Sequence, residues 1–168
     1  MPRNSTSRVL ALLAAALIAL PAIAAAAEPA DDSEVRPQVT PLDLQIVRNA
    51  RAILDTPAKW NRADNRKCPA DATTFSLYCA LQKATVEAGR SFEHRGAALQ
   101  EIRFVIDEIT ISREYDHRLM DYNNDPRTTF ADIQDVFRIG EDLLALRLRT
   151  DAAGTGAAKD RPASEPAK

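Results

Sequence analysis

Apolar residues recur at helical spacing through nearly the whole middle of the chain, and this pattern constrains the fold more than any other feature. Between residues 40 and 150 they repeat every three or four positions, as one face of an α-helix requires. The single β-branched run, residues 109–111, has no apparent partner strand. We therefore predict an all-α domain, a small bundle of about four main helices.

Capping and turn residues set the bounds of the predicted helices. The first follows Thr40 and Pro41 and ends before Pro57, because a proline disfavours helical geometry in the residue before it. The second spans about 74–88, the third about 94–109 and the fourth about 129–148. The apolar residues predicted to face the core are Leu42, Ile46, Val47, Ala50, Ile53, Leu54, Phe75, Tyr78, Leu81, Val86, Leu99, Ile102, Ile106, Ile109, Phe130, Ile133, Val136, Phe137, Leu143 and Leu144.

The first 27 residues follow a different pattern. Two arginines within residues 1–8 precede twelve uninterrupted apolar residues and an alanine-rich stretch that ends at Ala27. This order is typical of a secretory signal peptide. Twelve apolar residues are too few for a stable membrane span, which takes about 20. We predict a cleaved signal peptide over residues 1–27 and a bacterial protein that is periplasmic or secreted, with an uncleaved membrane anchor as the alternative.

Removal of the leader changes the composition on which a functional class depends. The full chain has 168 residues, 45% of them hydrophobic, and a net charge of -2, whereas the mature chain of 141 residues has a net charge of -4. This acidic balance gives no electrostatic reason to expect nucleic acid as a partner. Residues 28–39 and 151–168 offer little to bury, so we predict a flexible acidic N-terminal segment and a disordered C-terminal tail on either side of one helical domain, residues 40–150.

The chain contains two cysteines, Cys68 in a polar loop and Cys79 in the second predicted helix. An oxidising compartment and an even number of cysteines favour a disulfide. Such a bond would fasten the loop to the helix that follows it. The alternative is a redox-active pair, but its two cysteines are normally separated by only two residues.

An acidic segment before the last helix is similar to a calcium loop. Asp121, Asn123 and Asp125 supply oxygen atoms at alternate positions, and Asp132 occupies the twelfth place. However, proline stands at the sixth place, where the calcium loop uses glycine. The competing interpretation is a turn followed by a helix cap in which Thr129 and Asp132 pair. We favour the turn and the cap, and we keep Ca²⁺ as the only cofactor alternative.

Sequence motifs for catalysis are absent, including nucleophile elbows, phosphate loops and dinucleotide fingerprints. We therefore leave the enzyme question open and favour a non-catalytic binding or interaction module, with a protein or a cell-envelope component as its partner. Aromatic and arginine side chains commonly anchor interfaces. The candidate contact residues are Trp60, Arg62, Tyr115 and Tyr122, although Trp60 could instead cover the core.

The second functional hypothesis is a small periplasmic hydrolase or metal-dependent enzyme. Its candidate residues are Glu93 and His94 before the third helix, and Asp116 and His117 after it. Histidines beside carboxylates transfer protons or bind zinc when they meet in space. Their spacing in the sequence does not bring the two pairs together, so they are predicted to lie on the surface.

Four short motifs occur in order along the folded part. They are Trp60, Cys-Ala-Leu-x-x-Ala at residues 79–84, the pair Asn124–Asp125, and Thr-x-x-Asp-Ile at residues 129–133. In this order they resemble a family of small bacterial helical proteins of unknown function, over residues 42–148. The chain differs from that family in its leader, in Cys68 and in Gln82, where glycine is common. The resemblance implies a helical fold and assigns no catalytic residue.

Overall fold

Five α-helices pack around one apolar core in the computed structural model, which describes the backbone of residues 36–159 and the side chains of residues 36–153. The helices are α1 (Pro41–Ile53), α2 (Leu77–Glu87), α3 (Ala97–Ile109), α4 (Arg118–Asn124) and α5 (Phe130–Lys159), with a 3₁₀ turn at Pro57–Lys59. The predicted all-α fold is confirmed. The predicted leader, residues 28–35 of the N-terminal segment and residues 160–168 of the C-terminal tail lie outside the described residues.

Two helices begin with the caps that the sequence predicts. At α1, the backbone and side chain of Thr40 both donate to Asp43 Oδ2, over 2.8 and 2.6 Å. At α5, the Thr129 amide donates to Asp132 Oδ2 over 2.8 Å, and the Asp132 amide donates back to Thr129 Oγ1 over 3.2 Å. These bonds satisfy amide groups that have no partner within the helix.

Helices α2 and α3 both start about three residues later than predicted. Phe75 is held in an extended conformation, since its amide donates to the carbonyl of Lys59 over 2.8 Å. Ser76 then caps α2, because its Oγ accepts from the Cys79 amide over 3.1 Å. Helix α3 follows Gly96, which takes the N-cap position. Long-range backbone pairing at Phe75 is invisible to a local periodicity argument.

The sequence did not predict α4, and it predicted too early an end for α5. Seven residues are too few to show a clear helical period, and the Asn-Asn-Asp-Pro turn masked the end of α4. Helix α5 continues past the predicted end near residue 148 to Lys159. This extension contains four alanines, which favour a helix, and two glycines, which disfavour one, so its local sequence does not predict the continuation. Within residues 36–159 no helix has a stretch that is long and apolar enough to cross a membrane.

Helix α5 packs against both α1 and α3, and a glycine lets the three helices approach closely. A Cβ atom at Gly140 would lie 2.5 Å from Ile102 Cδ1 of α3 and 3.8 Å from Val47 Cγ1 of α1. Most residues predicted for the core are buried or partly buried. The prediction that Val86 and Ile109 face the core was wrong. They are 56% and 45% exposed because they lie in the last turns of α2 and α3.

The chain before α1 is fastened by a buried carboxylate. Glu101 is 1% exposed, and its two oxygens accept from Arg36 over 3.2 Å and from Arg147 over 2.6 Å. Arg147 also donates to the Pro37 carbonyl over 2.7 Å. Residues 36–39, which we assigned to the flexible N-terminal segment, therefore lie against α3 and α5.

Candidate functional site

A loop with little regular structure, residues 61–76, joins the 3₁₀ turn to α2, and we call it the cystine loop. Its two ends are paired with each other. The Asn61 amide donates to the Phe75 carbonyl over 2.9 Å, next to the isolated bridge between Trp60 and Phe75. This pairing closes the loop at its base.

The predicted disulfide between Cys68 and Cys79 is present, with the two Cα atoms 5.4 Å apart. It joins the middle of the cystine loop to the first turn of α2. The described residues contain no free cysteine. The structural interpretation of the pair, as a bond that fixes the loop to the helix, is therefore the one that this geometry supports.

Asn123, at the end of α4, fixes the base of the cystine loop from the other side. The residue is fully buried, and its Oδ1 accepts from the Trp60 indole over 2.9 Å and from the Leu77 amide over 3.0 Å. Its Nδ2 donates to the Asn61 carbonyl over 2.9 Å and to Asn124 Oδ1 over 3.1 Å. Both donors and both acceptor positions of the amide are thus in use.

The neighbouring Asn124 fixes the loop at a second point. Its Oδ1 accepts from the Asp64 amide over 2.7 Å, and its Nδ2 donates to the Asp64 carbonyl over 2.9 Å. The Asn124 side chain thus pairs with the backbone of Asp64 as a neighbouring β-strand would. The cystine loop is thus held at three points. Asn123 holds it at Asn61, Asn124 holds it at Asp64, and the disulfide holds it at Cys68.

A polar cavity of about 190 Å³ lies beside the cystine loop, with Asp64 in its wall. Asp64 is 6% exposed, and its Oδ1 accepts from the Arg66 amide over 2.7 Å. Its Oδ2 is buried and has no hydrogen-bond partner among the described residues. Arg66 has a positive φ of 60°, a backbone conformation that residues other than glycine rarely adopt. A buried carboxylate oxygen without a donor is energetically costly for the folded state.

A second, more apolar cavity of about 290 Å³ lies on the other side of the disulfide. Its wall includes Phe75 and the exposed Val86. Cys68, Pro69 and Cys79 line both cavities. The disulfide thus lies in the wall shared by a polar and an apolar compartment.

Three of the four predicted contact residues come together around the turn after α4. Arg62 lies over the Trp60 ring at 5.0 Å and donates to the Asp125 carbonyl over 3.1 Å. The Tyr115 hydroxyl donates to Asp125 Oδ2 over 2.8 Å. Tyr122 is only 3% exposed and belongs to the core. Each of these side chains makes contacts within the fold, and Trp60 and Arg62 connect the base of the cystine loop to Asn123 and Asp125.

Asp125 has the most strongly shifted pKa among the acids around this turn. Hydrogen bonds from Arg127, the shortest 2.7 Å, hold the pKa of the Asp125 carboxyl far below its usual range. Burial raises the pKa of the Tyr115 hydroxyl and, far more strongly, that of Tyr122. The turn therefore carries an ionised carboxylate that its own neighbours already bind.

The four residues predicted as calcium ligands have separate partners. Asp121 Oδ2 accepts from the His117 amide over 2.7 Å, and Asp132 caps α5. Asn123 binds Trp60 and Leu77, and Asp125 binds Arg127, as described above. No group of three or more His, Cys, Asp or Glu side chains with metal-binding geometry occurs in the described part of the chain. This geometry favours the turn and cap over the cation site, and Ca²⁺ binding stays the alternative to be tested by titration.

The candidate catalytic residues do not form a hydrogen-bonded group in residues 36–159. His94 Nε2 lies 3.3 Å from a guanidinium nitrogen of Arg103, and its ring lies 5.9 Å from that of Tyr78. Burial, followed by the charge of Arg103, lowers the pKa of His94. Glu93, Asp116 and His117 are exposed. No side-chain hydrogen bond joins any of them to His94.

Sequence reasoning missed Asn123 and Asp64 as determinants of this site. Asn123 entered only as a possible cation ligand, and Asp64 was one of several polar loop residues. The tandem asparagines before Asp125 are the only local signal, and they indicate a turn. The contacts of Asn123 with Trp60 and of Asp64 with Asn124 join residues about sixty positions apart, which no local pattern can reveal.

Comparison with known families supports the predicted resemblance. The model of the family of unknown function DUF6197 matches residues 36–143. No curated protein and no solved structure matches the chain. The matched region contains α1 to α4, the cystine loop and the start of α5. Because this match covers more than half of the chain, the protein belongs to the family of unknown function DUF6197.

Proposed function

We propose that this protein is an exported, non-catalytic binding module whose contact surface is the cystine loop with its two cavities. The observation that carries the proposal is the way this irregular loop is held. Disulfide Cys68–Cys79, Asn123 and Asn124 fix it at several points, and cavities open on both sides of the disulfide. A loop ordered before binding loses less conformational entropy when a partner binds, which favours affinity.

Export is the second part of the proposal, and the leader pattern of residues 1–27 supports it. An oxidising compartment would also maintain the disulfide. Expression of the full chain in a Gram-negative host, followed by fractionation and intact-mass analysis, tests this part. We expect a periplasmic species that begins at Glu28 and carries an oxidised cysteine pair. A cytoplasmic species that retains the leader would contradict export.

Binding is tested with the mature protein as immobilised bait for solubilised cell-envelope material. We compare wild type with Asn124→Ala, which removes the two hydrogen bonds between α4 and Asp64 of the loop, and with Arg138→Ala, a control change on the exposed face of α5. Circular dichroism first verifies that all three baits are folded. We expect a component retained by wild type and Arg138→Ala but lost from Asn124→Ala. Equal retention by all three would exclude the cystine loop, and no retention would contradict the binding function.

A further inference from the structure

We propose that a group of basic side chains around the Tyr78 hydroxyl binds an anion of the phosphate class. The group consists of Arg66, His94, Arg95 and Arg103, and we call it the basic cluster. Its members belong to the cystine loop, to the segment between α2 and α3, and to α3 itself. Neither these residues nor Tyr78 line the two cavities beside the disulfide, so the site is separate from the cavities of the function proposed above.

The Tyr78 hydroxyl is a hydrogen-bonding group that the fold leaves without a partner. Tyr78 is 9% exposed, and its ring centroid lies 5.6 Å from that of Phe92 and 5.9 Å from that of His94. Its hydroxyl makes no hydrogen bond within the described residues. The buried side-chain atoms there that lack both solvent and a partner are Asp64 Oδ2 and Thr128 Oγ1, and the Tyr78 oxygen is not one of them. This oxygen is therefore open to solvent and can donate to a ligand.

Positive charges lie within electrostatic reach of this hydroxyl. Burial raises the pKa of Tyr78 most, whereas the charges of Arg66 and Arg103 lower it and that of Asp64 raises it. Two guanidinium charges thus stand against one carboxylate. The remaining positive charge favours an anion at the hydroxyl.

The same charges act on the neighbouring histidine. His94 Nε2 lies 3.3 Å from a guanidinium nitrogen of Arg103, which is 7% exposed and also donates to the His94 carbonyl over 2.8 Å. Burial lowers the pKa of His94, followed by the charges of Arg103, Arg66 and Arg95. These arginines lie together in a chain whose net charge is -2. Because like charges repel, a bound anion would stabilise the basic cluster.

Two arginines of the basic cluster have guanidinium groups that are available to a ligand. Arg66 and Arg95 are exposed, and neither side chain makes a hydrogen bond or an ion pair within the described residues. The backbone of Arg66 is nevertheless fixed, since its amide donates to Asp64 Oδ1 over 2.7 Å. Two positions later, the disulfide at Cys68 joins the loop to the first turn of α2, which carries Tyr78. An anion would therefore meet donors whose backbones are already in place.

The available donors match a phosphate better than a carboxylate. Guanidinium groups form paired, charge-assisted hydrogen bonds with the oxygens of either anion. Here the guanidinium groups of Arg66 and Arg95 and the hydroxyl of Tyr78 belong to three separate segments. A tetrahedral phosphate group offers more acceptor oxygens and more negative charge than a planar carboxylate, so it can accept from all three.

The test is a titration of the isotope-labelled mature protein with inorganic phosphate, followed by two-dimensional amide NMR at constant ionic strength. Acetate serves as the comparison anion. We expect saturable shifts at the amides of Arg66, Tyr78 and His94, with a dissociation constant on the order of 1 mM. Absence of saturable shifts up to about 100 mM phosphate would overturn the proposal. Binding of acetate at these amides as tightly as phosphate would overturn the assignment to the phosphate class.

Variants locate the anion at the basic cluster. Tyr78→Phe removes only a hydroxyl that has no partner in the described fold, and we expect phosphate affinity to fall about tenfold, as for the loss of one hydrogen bond to a charged group. Arg66→Gln should weaken phosphate severalfold, and it provides a second test if Tyr78→Phe does not fold.

Arg138→Gln is the matched control, because it removes the same charge from the exposed face of α5. Circular dichroism verifies that each variant is folded. Wild-type affinity in a folded Tyr78→Phe or Arg66→Gln variant would contradict the site. Equal weakening in Arg138→Gln would contradict it as well, since phosphate would then respond only to the net charge of the protein.

Phosphate groups occur both as soluble anions and as lipid headgroups, and a second measurement separates these sources once phosphate binding is established. The mature protein is sedimented with phosphatidylcholine vesicles that contain or lack phosphatidic acid. Sedimentation that requires phosphatidic acid and is lost in Tyr78→Phe would assign the site to a lipid headgroup. Protein that stays in solution with both kinds of vesicle would assign it to a soluble phosphate ligand.

Discussion

The indole nitrogen of Trp60 donates to Oδ1 of Asn123 over 2.9 Å, although the two residues are 63 positions apart. The same oxygen accepts from the Leu77 amide. One buried amide thus joins the end of the 3₁₀ turn, the start of α2 and the end of α4. The position of the cystine loop relative to the core depends on this contact.

Replacement of this amide should destabilise the protein strongly. Asn123→Ala leaves the Trp60 indole and the Leu77 amide without their acceptor, and each unsatisfied donor costs about 1–3 kcal/mol. We expect the free energy of unfolding, from urea titration, to fall by about 2–4 kcal/mol. Gln45→Ala, on the exposed face of α1, is the control and should change it by less than about 0.5 kcal/mol. If Asn123→Ala also lowered the free energy of unfolding by less than about 0.5 kcal/mol, the anchoring role would be refuted.

Reduction of the disulfide should lower stability through the entropy of the unfolded chain. Cys68 and Cys79 close a loop with a separation of eleven residues, for which the chain-entropy estimate is about 3 kcal/mol. We expect a lower melting temperature in dithiothreitol than in its absence, measured by circular dichroism. The double variant Cys68→Ala/Cys79→Ala serves as the control, since its melting temperature should not respond to dithiothreitol. An unchanged wild-type melting temperature under full reduction would contradict the prediction.

Two glutamates that bind the same arginine should differ greatly in their effect on stability. Glu101 is buried and binds Arg36 and Arg147, whereas Glu108 is largely exposed and binds Arg36 alone. Loss of one partner of a buried ion pair costs about 3–5 kcal/mol, and loss of an exposed pair costs at most about 1 kcal/mol. Urea unfolding of Glu101→Ala and Glu108→Ala measures the difference. Similar losses in the two variants would show that burial at Glu101 does not set the strength of this contact.

Gly140→Ala tests the close approach of α3 and α5. Alanine in an exposed helix is favoured over glycine by about 1 kcal/mol, but here its Cβ would lie 2.5 Å from Ile102 Cδ1. We expect a net destabilisation of about 1–3 kcal/mol from overpacking. Ile102→Val removes the clashing methyl group, so in that background Gly140→Ala should be neutral or stabilising. A double-mutant cycle measured by urea unfolding gives the answer, and additive effects would rule out the steric explanation.

Stability should decline in acid partly through Asp125. Hydrogen bonds from Arg127 hold the pKa of Asp125 below its unfolded value, so the fold favours the ionised carboxylate. This contribution is complete at pH values above about 4 and disappears as the pH falls through the lower folded pKa. Urea unfolding from pH 6 down to pH 2 should therefore show a shallower decline for Asp125→Asn than for wild type. Arg127→Gln should reduce the decline as well, and parallel curves for all three proteins would contradict this assignment.

Most of the helices could be predicted because their signals are local. Helix ends are marked by residues that lie close together in the sequence. The pair Thr40 and Asp43 marks the start of α1, the pair Thr129 and Asp132 marks the start of α5, and Gly89 follows the end of α2. The failures have a different cause. Phe75 lies outside α2, contrary to the prediction, because its backbone pairs with Trp60, fifteen residues earlier. Helix α4 was not predicted because seven residues are too few to show a helical period.

The candidate site was predicted only in its components. The cysteines, Trp60 and the Asn124–Asp125 pair were all identified, but as a disulfide, a contact residue and a turn. Their assembly into one support for the cystine loop required the packing of α4 against α2 and α3. The unpaired oxygen of Asp64 was equally invisible, because hydrogen-bond satisfaction depends on every group that surrounds an atom.

The sequence by itself determined the helical class, the caps of α1 and α5 and the cysteine pair, since each depends on neighbouring residues or on simple counting. It also carries the leader pattern on which the proposed export rests. Only the tertiary structure decided where cavities open beside the cystine loop and which buried polar atoms remain without partners there. Those properties arise from contacts between residues about sixty positions apart, and such contacts form only when the helices have packed.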